Sequence, residues 1–219
     1  MASTKSVINR PDLAQLIEAH QYLKSYSWMK LALHYYGTTR INGEKNNPEV
    51  VRFIMSGLGC SVEAYRFQKP TIVQLATKAF TEPNQVYNSL FGLALPTNYN
   101  LNRQCNKSEK EILKDETAWC SAFVNHIMKN IGYEGTIGNK RLSARSWLSW
   151  GKEVPIEQPT FGDIIVTKRP GRADAGHVGF YVKTTKNHYQ ILGGNQSTKS
   201  WVCVRNYPKK WILGFRQPN

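Results

Sequence analysis

Cys120 opens the run "CSAFVNHIMKN", in which Val124, Ile127, Met128 and Ile131 recur at helical spacing and Gly132 closes the pattern. A thiol in the first turn of a helix meets unpaired backbone N–H groups and the positive end of the helix dipole. Both favour thiolate over thiol, and the thiolate is the attacking species in cysteine hydrolases. The same spacing puts Cys120 on the apolar face with Val124, Ile127 and Met128, where it reads as a small core residue. The two readings coexist if the helix packs its first turn on a sheet, because the cysteine then aims at residues of that sheet.

A nucleophile of this kind needs a base. Of the histidines at 20, 34, 126, 177 and 188, His177 has the most suitable setting. It begins "HVGFYV", where Val178, Phe180 and Val182 alternate to one face, and His177, Gly179 and Tyr181 to the other. Gly179 leaves space beside the ring, as a cleft would need; otherwise His177 is a strand-edge residue exposed to water. His126 lies too far along the cysteine helix to be the base. A third group should fix the tautomer and orientation of the imidazole. "ILGGNQS" follows by one hairpin, so Asn195 or Gln196 could accept from the ring, although GGN alone also reads as a turn. Other chemistries find less support: HExxH, G-x-S-x-G and a phosphate-cradling glycine loop are absent from the sequence. Glu111, Asp115 and Glu116 could include a glycosidase pair, but they also read as caps or solvated charges.

These residues must be positioned by two kinds of element. Helices come first. "SWMKLALHYYG" carries Trp28, Leu31, Ala32 and Tyr35 on one face, and "NNPEVVRFIMSGLG" has Asn47 as a candidate cap and Pro48 at its first position. "TIVQLATKAF" and "NQVYNSLFGLAL" could be short helices, and "SARSWLSWG" another, with Ser143 as its possible cap. After the polar, flexible "RPGRADAG" the period is that of strands: "HVGFYVKTT", "HYQILGG", "SWVCVRNY" and "WILGFRQ" follow one another, with "DIIVTK" before. The links are too short for helical crossovers, so the expected class is α+β with an antiparallel sheet.

The chain of 219 residues is 41% hydrophobic and 20% charged, which reads as one globular domain with a full core. Its net charge of +14 draws it to polyanions such as nucleic acid, an anionic membrane surface or bacterial cell wall. Cys60, Cys105, Cys120 and Cys203 have neither CxxC spacing nor the regularity of a disulfide framework, so a reducing compartment of synthesis is expected. The first residues lack an apolar stretch of signal-peptide length, and no run approaches a membrane span.

The ordered series "DETAWCSAFVNHIMKN", "ARSWLSWG", "GDIIV", "GHVGFYV", "LGGNQ" and "YPKKWILGFRQP" resembles the CHAP/NlpC-type cysteine peptidoglycan hydrolases, in particular members found in phage lysins and in bacterial antagonism (type VI secretion) effectors. The resemblance covers about residues 26–217. It implies a papain-like α+β fold, with N-terminal helices and the nucleophile helix packed on a C-terminal antiparallel sheet. It implies a single catalytic domain over 1–219, with a helical or loop insertion over 58–114. Carried over, the nucleophile falls on Cys120, the base on His177 and the orienting residue on Asn195, with Gln196 the other candidate. Trp119, Asp115 and Gln196 are the expected substrate contacts, Asp115 being alternatively a cap.

No metal and no cofactor are expected. The implied reaction is cleavage of a stem-peptide amide, at D-Glu–meso-diaminopimelate or, alternatively, between N-acetylmuramic acid and L-alanine. A basic nucleic-acid- or wall-binding module without catalysis is the reading of another class. The resemblance further implies an antibacterial effector, made in the bacterial cytoplasm and active in the periplasm of a target cell. Its partners would be peptidoglycan, an immunity protein and a secretion apparatus.

Overall fold

The structure, a computed structural model, describes residues 27–41, 46–58, 117–138 and 140–219. The segments "TIVQLATKAF" and "NQVYNSLFGLAL", and the expected insertion apart from Leu58, lie outside the described residues. The described helices are α1 (Ser27–His34), α2 (Pro48–Leu58) and α3 (Cys120–Asn130). They precede six strands: β1 (Lys152–Val154), β2 (Ile164–Arg169), β3 (Arg172–Thr184), β4 (His188–Gln196), β5 (Trp201–Pro208) and β6 (Ile212–Gln217). The strands form one sheet in the order β1-β6-β2-β3-β4-β5 with every pairing antiparallel. The protein is therefore α+β, as the order of periodicities implies.

Local chemistry sets the helix ends. Asn47 caps α2, its Oδ1 accepting from the Glu49 N–H at 2.8 Å, and Pro48 takes the first helical position. Helix α3 ends where Gly132 adopts a φ of +92°, which a side chain would resist. Ser143 precedes a short 3-10 helix over Ala144–Ser149, but its side chain makes no capping bond, which corrects the expected cap.

Helix α3 is the centre of the fold. The spacing predicts an apolar stripe; instead every residue from Cys120 to Met128 is buried. The reason is that α3 packs against α1 and α2 on one side and against β3 and β4 on the other. A helix enclosed from both sides buries its polar residues too, so Ser121, Asn125 and His126 must find partners inside. Val178, Phe180 and Val182 of β3, with Leu192, Val202 and Val204, face the helices. Ile165, Tyr181, Tyr189, Ile191 and Phe215 form a second core on the far face. The alternation read from "HVGFYV" is thus the one observed.

Two strand boundaries differ from the expectation. Strand β1 has only three residues, two of them exposed, which is too short for an alternation to register. Strand β3 begins at Arg172, so "RPGRADAG" is an extended hairpin arm and not an irregular loop. Its residues are mostly exposed on both faces and so carry no alternating signal.

Candidate active site

Cys120 is the first residue of α3, and Trp119 before it makes no side-chain cap. Only 6% of Cys120 is exposed. Its sulfur lies against three backbone N–H groups: its own, that of Ser121 and that of Val178. Burial pushes the thiol pKa up; the three N–H groups and the positive charge of Arg169 oppose that rise without cancelling it. Val178 is the residue after His177, so the start of the helix is docked on the histidine strand.

The first turn of α3 is held from several directions. Ser121 Oγ donates to the Arg141 carbonyl at 3.0 Å and accepts from Trp147 Nε1 at 2.9 Å. Asn125 donates to the Ser121 carbonyl at 3.0 Å and to Thr136 Oγ1 at 2.9 Å, and accepts from the Thr136 N–H at 2.9 Å. These buried bonds satisfy polar groups and fix the helix in rotation and height, and with it the sulfur.

His177 is half-buried and pairs across the sheet with Thr167. Its ring stacks on Tyr207 of β5, with centroids 5.1 Å apart and planes within 6°. Burial depresses the imidazole to about 4, the side chain of Gln196 opposing that shift and the charge of Arg169 adding to it. Gln196 is itself fixed. Its Nε2 donates to the carbonyls of Ile191 (3.2 Å), Gly193 (3.1 Å) and Cys203, and its Oε1 accepts from the Tyr207 hydroxyl at 2.9 Å. The three carbonyls define which end of the amide is nitrogen. The oxygen keeps a second lone pair for the ring. His177 Nε2 is buried without a geometric hydrogen bond among the described residues, and it borders the space above Gly193 together with the Gln196 amide.

The structure thus brings Gln196 to the ring, whereas the family resemblance points to Asn195. Between Gly193 and Gln196 the register with β5 shifts, three steps on β4 matching two on β5. Asn195, with φ of 57°, lies within this bulge. One inserted residue exchanges the faces that follow it, which gives Gln196 the face that alternation assigns to Asn195.

Two further expectations are corrected. Trp119 is fully buried, so it is not an exposed substrate contact; its ring packs so closely under Gly194 that a Cβ there would overlap it. Gly179 does not open a cleft: a Cβ on it would lie 2.6 Å from Ile191 Cγ2 and from the Leu192 carbonyl oxygen, so β4 fills that space. Asp115 lies outside the described residues, as do Glu111 and Glu116. His126 is enclosed, with Nε2 3.0 Å from the Tyr35 hydroxyl and Nδ1 2.8 Å from Ser56 Oγ. It is part of the helix packing.

Sequence reasoning missed Tyr207 and Arg169. Tyr207 stands in the quoted "YPKKWILGFRQP" run, but nothing in a strand pattern says which ring an aromatic residue will stack on. Arg169 follows "DIIVTK", and its reach to the thiol depends on the pairing of β2 with β3.

A thiol, an imidazole and a pinned amide on three adjoining elements are the parts of a nucleophilic cysteine site. Residues 113–195 match the model of the CHAP domain family. Over these residues the chain is similar to that family. The matched stretch contains Cys120 and His177 and ends one residue before Gln196; α1, α2, β5 and β6 lie outside it. No curated protein matches the chain. A CHAP domain suggests hydrolysis of peptidoglycan, typically by a cysteine peptidase or amidase.

Proposed function

We propose that the protein is a peptidoglycan hydrolase that cleaves a stem-peptide amide, with Cys120 as nucleophile, His177 as base and Gln196 as the residue that orients the base. The observation that carries this reading is the docking of the Cys120 sulfur on the N–H of Val178, next to a histidine held by Gln196 and Tyr207. As the acceptor for the ring N–H, Gln196 Oε1 would keep the proton on Nε2 and leave the lone pair on Nδ1. Burial raises the thiol and lowers the imidazole, which favours the neutral form of each. His177 Nδ1 then takes the thiol proton as sulfur attacks the carbonyl, and returns it to the leaving amine. The N–H of Cys120 at the helix start stabilises the oxyanion. Water releases the acyl-enzyme with His177 again as base.

The bond favoured by the sequence resemblance is γ-D-glutamyl–meso-diaminopimelate. The runner-up is the amide between N-acetylmuramic acid and L-alanine, and the CHAP match is compatible with either bond. The net charge of +14 supports attraction to the anionic wall in either case. A single catalytic domain over 1–219, delivery as an antibacterial effector into the periplasm of a target cell, and inhibition by an immunity protein rest on the resemblance alone. The test is digestion of Gram-negative sacculi followed by mass spectrometry of the soluble fragments. New diaminopimelate amino termini would support the endopeptidase. New L-alanine amino termini would support the amidase. Intact sacculi after prolonged digestion would sink both.

A further inference from the structure

We propose that Arg169, at the base of the β2–β3 hairpin, completes a subsite beside Cys120 and His177 that binds a free carboxylate of the substrate next to the scissile bond. This rests on the hydrolase reading above for the identity of the substrate. The hairpin reads "KRPGR" and turns at Gly171, whose φ is 76°. Lys168, Arg169 and Arg172 are exposed, and Arg169 and Arg172 are directly paired across the two arms. Asp174 is the acidic residue of the same arms. Among the described residues Arg169 makes no ion pair, unlike Arg52 and Arg216, which pair with Glu49 and Glu153.

The placement is set by the sheet. Thr167 of β2 is paired with His177, and the register shifts between Lys168 and Arg169, as at a bulge. Such a shift re-aims the side chains beyond it. Arg169 stands on β2 two residues beyond the Thr167–His177 pair, and its positive charge acts in the same direction on Cys120, His177 and Tyr207. From the other side Arg145 donates from Nε to the Ala175 carbonyl at 3.2 Å, which braces the arm leading into His177. An exposed guanidinium on a braced hairpin next to the histidine strand, with no ion pair among the described residues, matches a carboxylate in charge and in its paired donors. A γ-glutamyl amide is a substrate with such a group, because its α-carboxylate stays free close to the bond that is cut.

The subsite can be tested without any wall substrate. Iodoacetate and iodoacetamide alkylate the same thiolate, with iodide leaving, and differ in charge. The ratio of their rates at Cys120 therefore cancels the thiol pKa and reads the local field. In Arg169→Gln the iodoacetate-to-iodoacetamide ratio is expected to fall about threefold, while Arg169→Lys keeps it and salt near 1 M narrows the difference. An unchanged ratio in Arg169→Gln would overturn the subsite, whether or not any peptide is cleaved. With stem peptides, Arg169→Gln is expected to raise KM about tenfold for the free γ-glutamyl α-carboxylate and to leave its amidated analogue unchanged. Equal losses on both peptides would overturn the carboxylate assignment. If the wild type cleaves neither peptide, the endopeptidase reading fails and the alkylation ratio still decides the subsite.

Discussion

At the scale of single residues, the site depends on a half-buried ring held by an amide. Gln196→Ala removes the acceptor that fixes the His177 tautomer, and kcat is expected to fall about a hundredfold. Asn195→Gly keeps the left-handed backbone while deleting the side chain, so kcat should stay within about threefold of wild type. The reverse order in steady-state assays would return the orienting role to Asn195. Tyr207→Phe keeps the stack on His177 and loses the hydroxyl that pins Gln196 Oε1, so it should fall between these two. The pH profile gives a separate check. The imidazole, held near 4 by burial, is in its base form above that value and loses it as pH falls through it. The acid limb of kcat/KM is therefore expected near pH 4. A limb at the ordinary histidine value of about 6.5 would mean a water-exposed ring.

At the scale of elements, α3 and β4 meet at Trp119 and Gly194. Gly194→Ala adds a methyl group where the indole already is, so one of the two elements must move. A loss of about 1–3 kcal/mol in chemical denaturation is expected, with activity falling as the cysteine helix shifts. The same contact shows where a sequence is informative. Strands β2 to β6 are legible because one apolar face alternates against the helices, and α3 is legible from its spacing and its closing glycine. Cys120 and His177 could be selected because one opens that helix and the other opens that alternation. The extra residue in β4 could not be selected, since a bulge is a property of two paired strands and is invisible in one of them. It exchanges the faces of Asn195 and Gln196. Trp119 is ambiguous in the sequence for a similar reason: a tryptophan beside a nucleophile suits either a groove or a core, and only the packing of α3 on Gly194 distinguishes them.

At the scale of the whole molecule, α1, α2 and α3 close over a buried histidine, His126. Burial depresses His126 to about 3, well below the ordinary value of 6.5. The unfolded chain therefore binds this proton more readily than the folded one between those values. Stability is full above about pH 6.5 and declines as pH falls toward 3, by a few kcal/mol for a shift of this size. His126→Gln should flatten that decline in urea titrations between pH 6.5 and 4, and an unaltered slope would assign the acid sensitivity to other groups. The pH-rate profile proposed above must then be read where circular dichroism shows the protein still folded.

The central claim concerns one sulfur atom. The most direct measurement is release of soluble peptidoglycan fragments by the purified protein, compared with its Cys120→Ala variant and with wild type alkylated at a single thiol. Release by the wild type, with none from either altered protein at equal folded concentration, is the expected result. Fragments released at the wild-type rate by Cys120→Ala would contradict it and would return Cys120 to the core of the helix it begins.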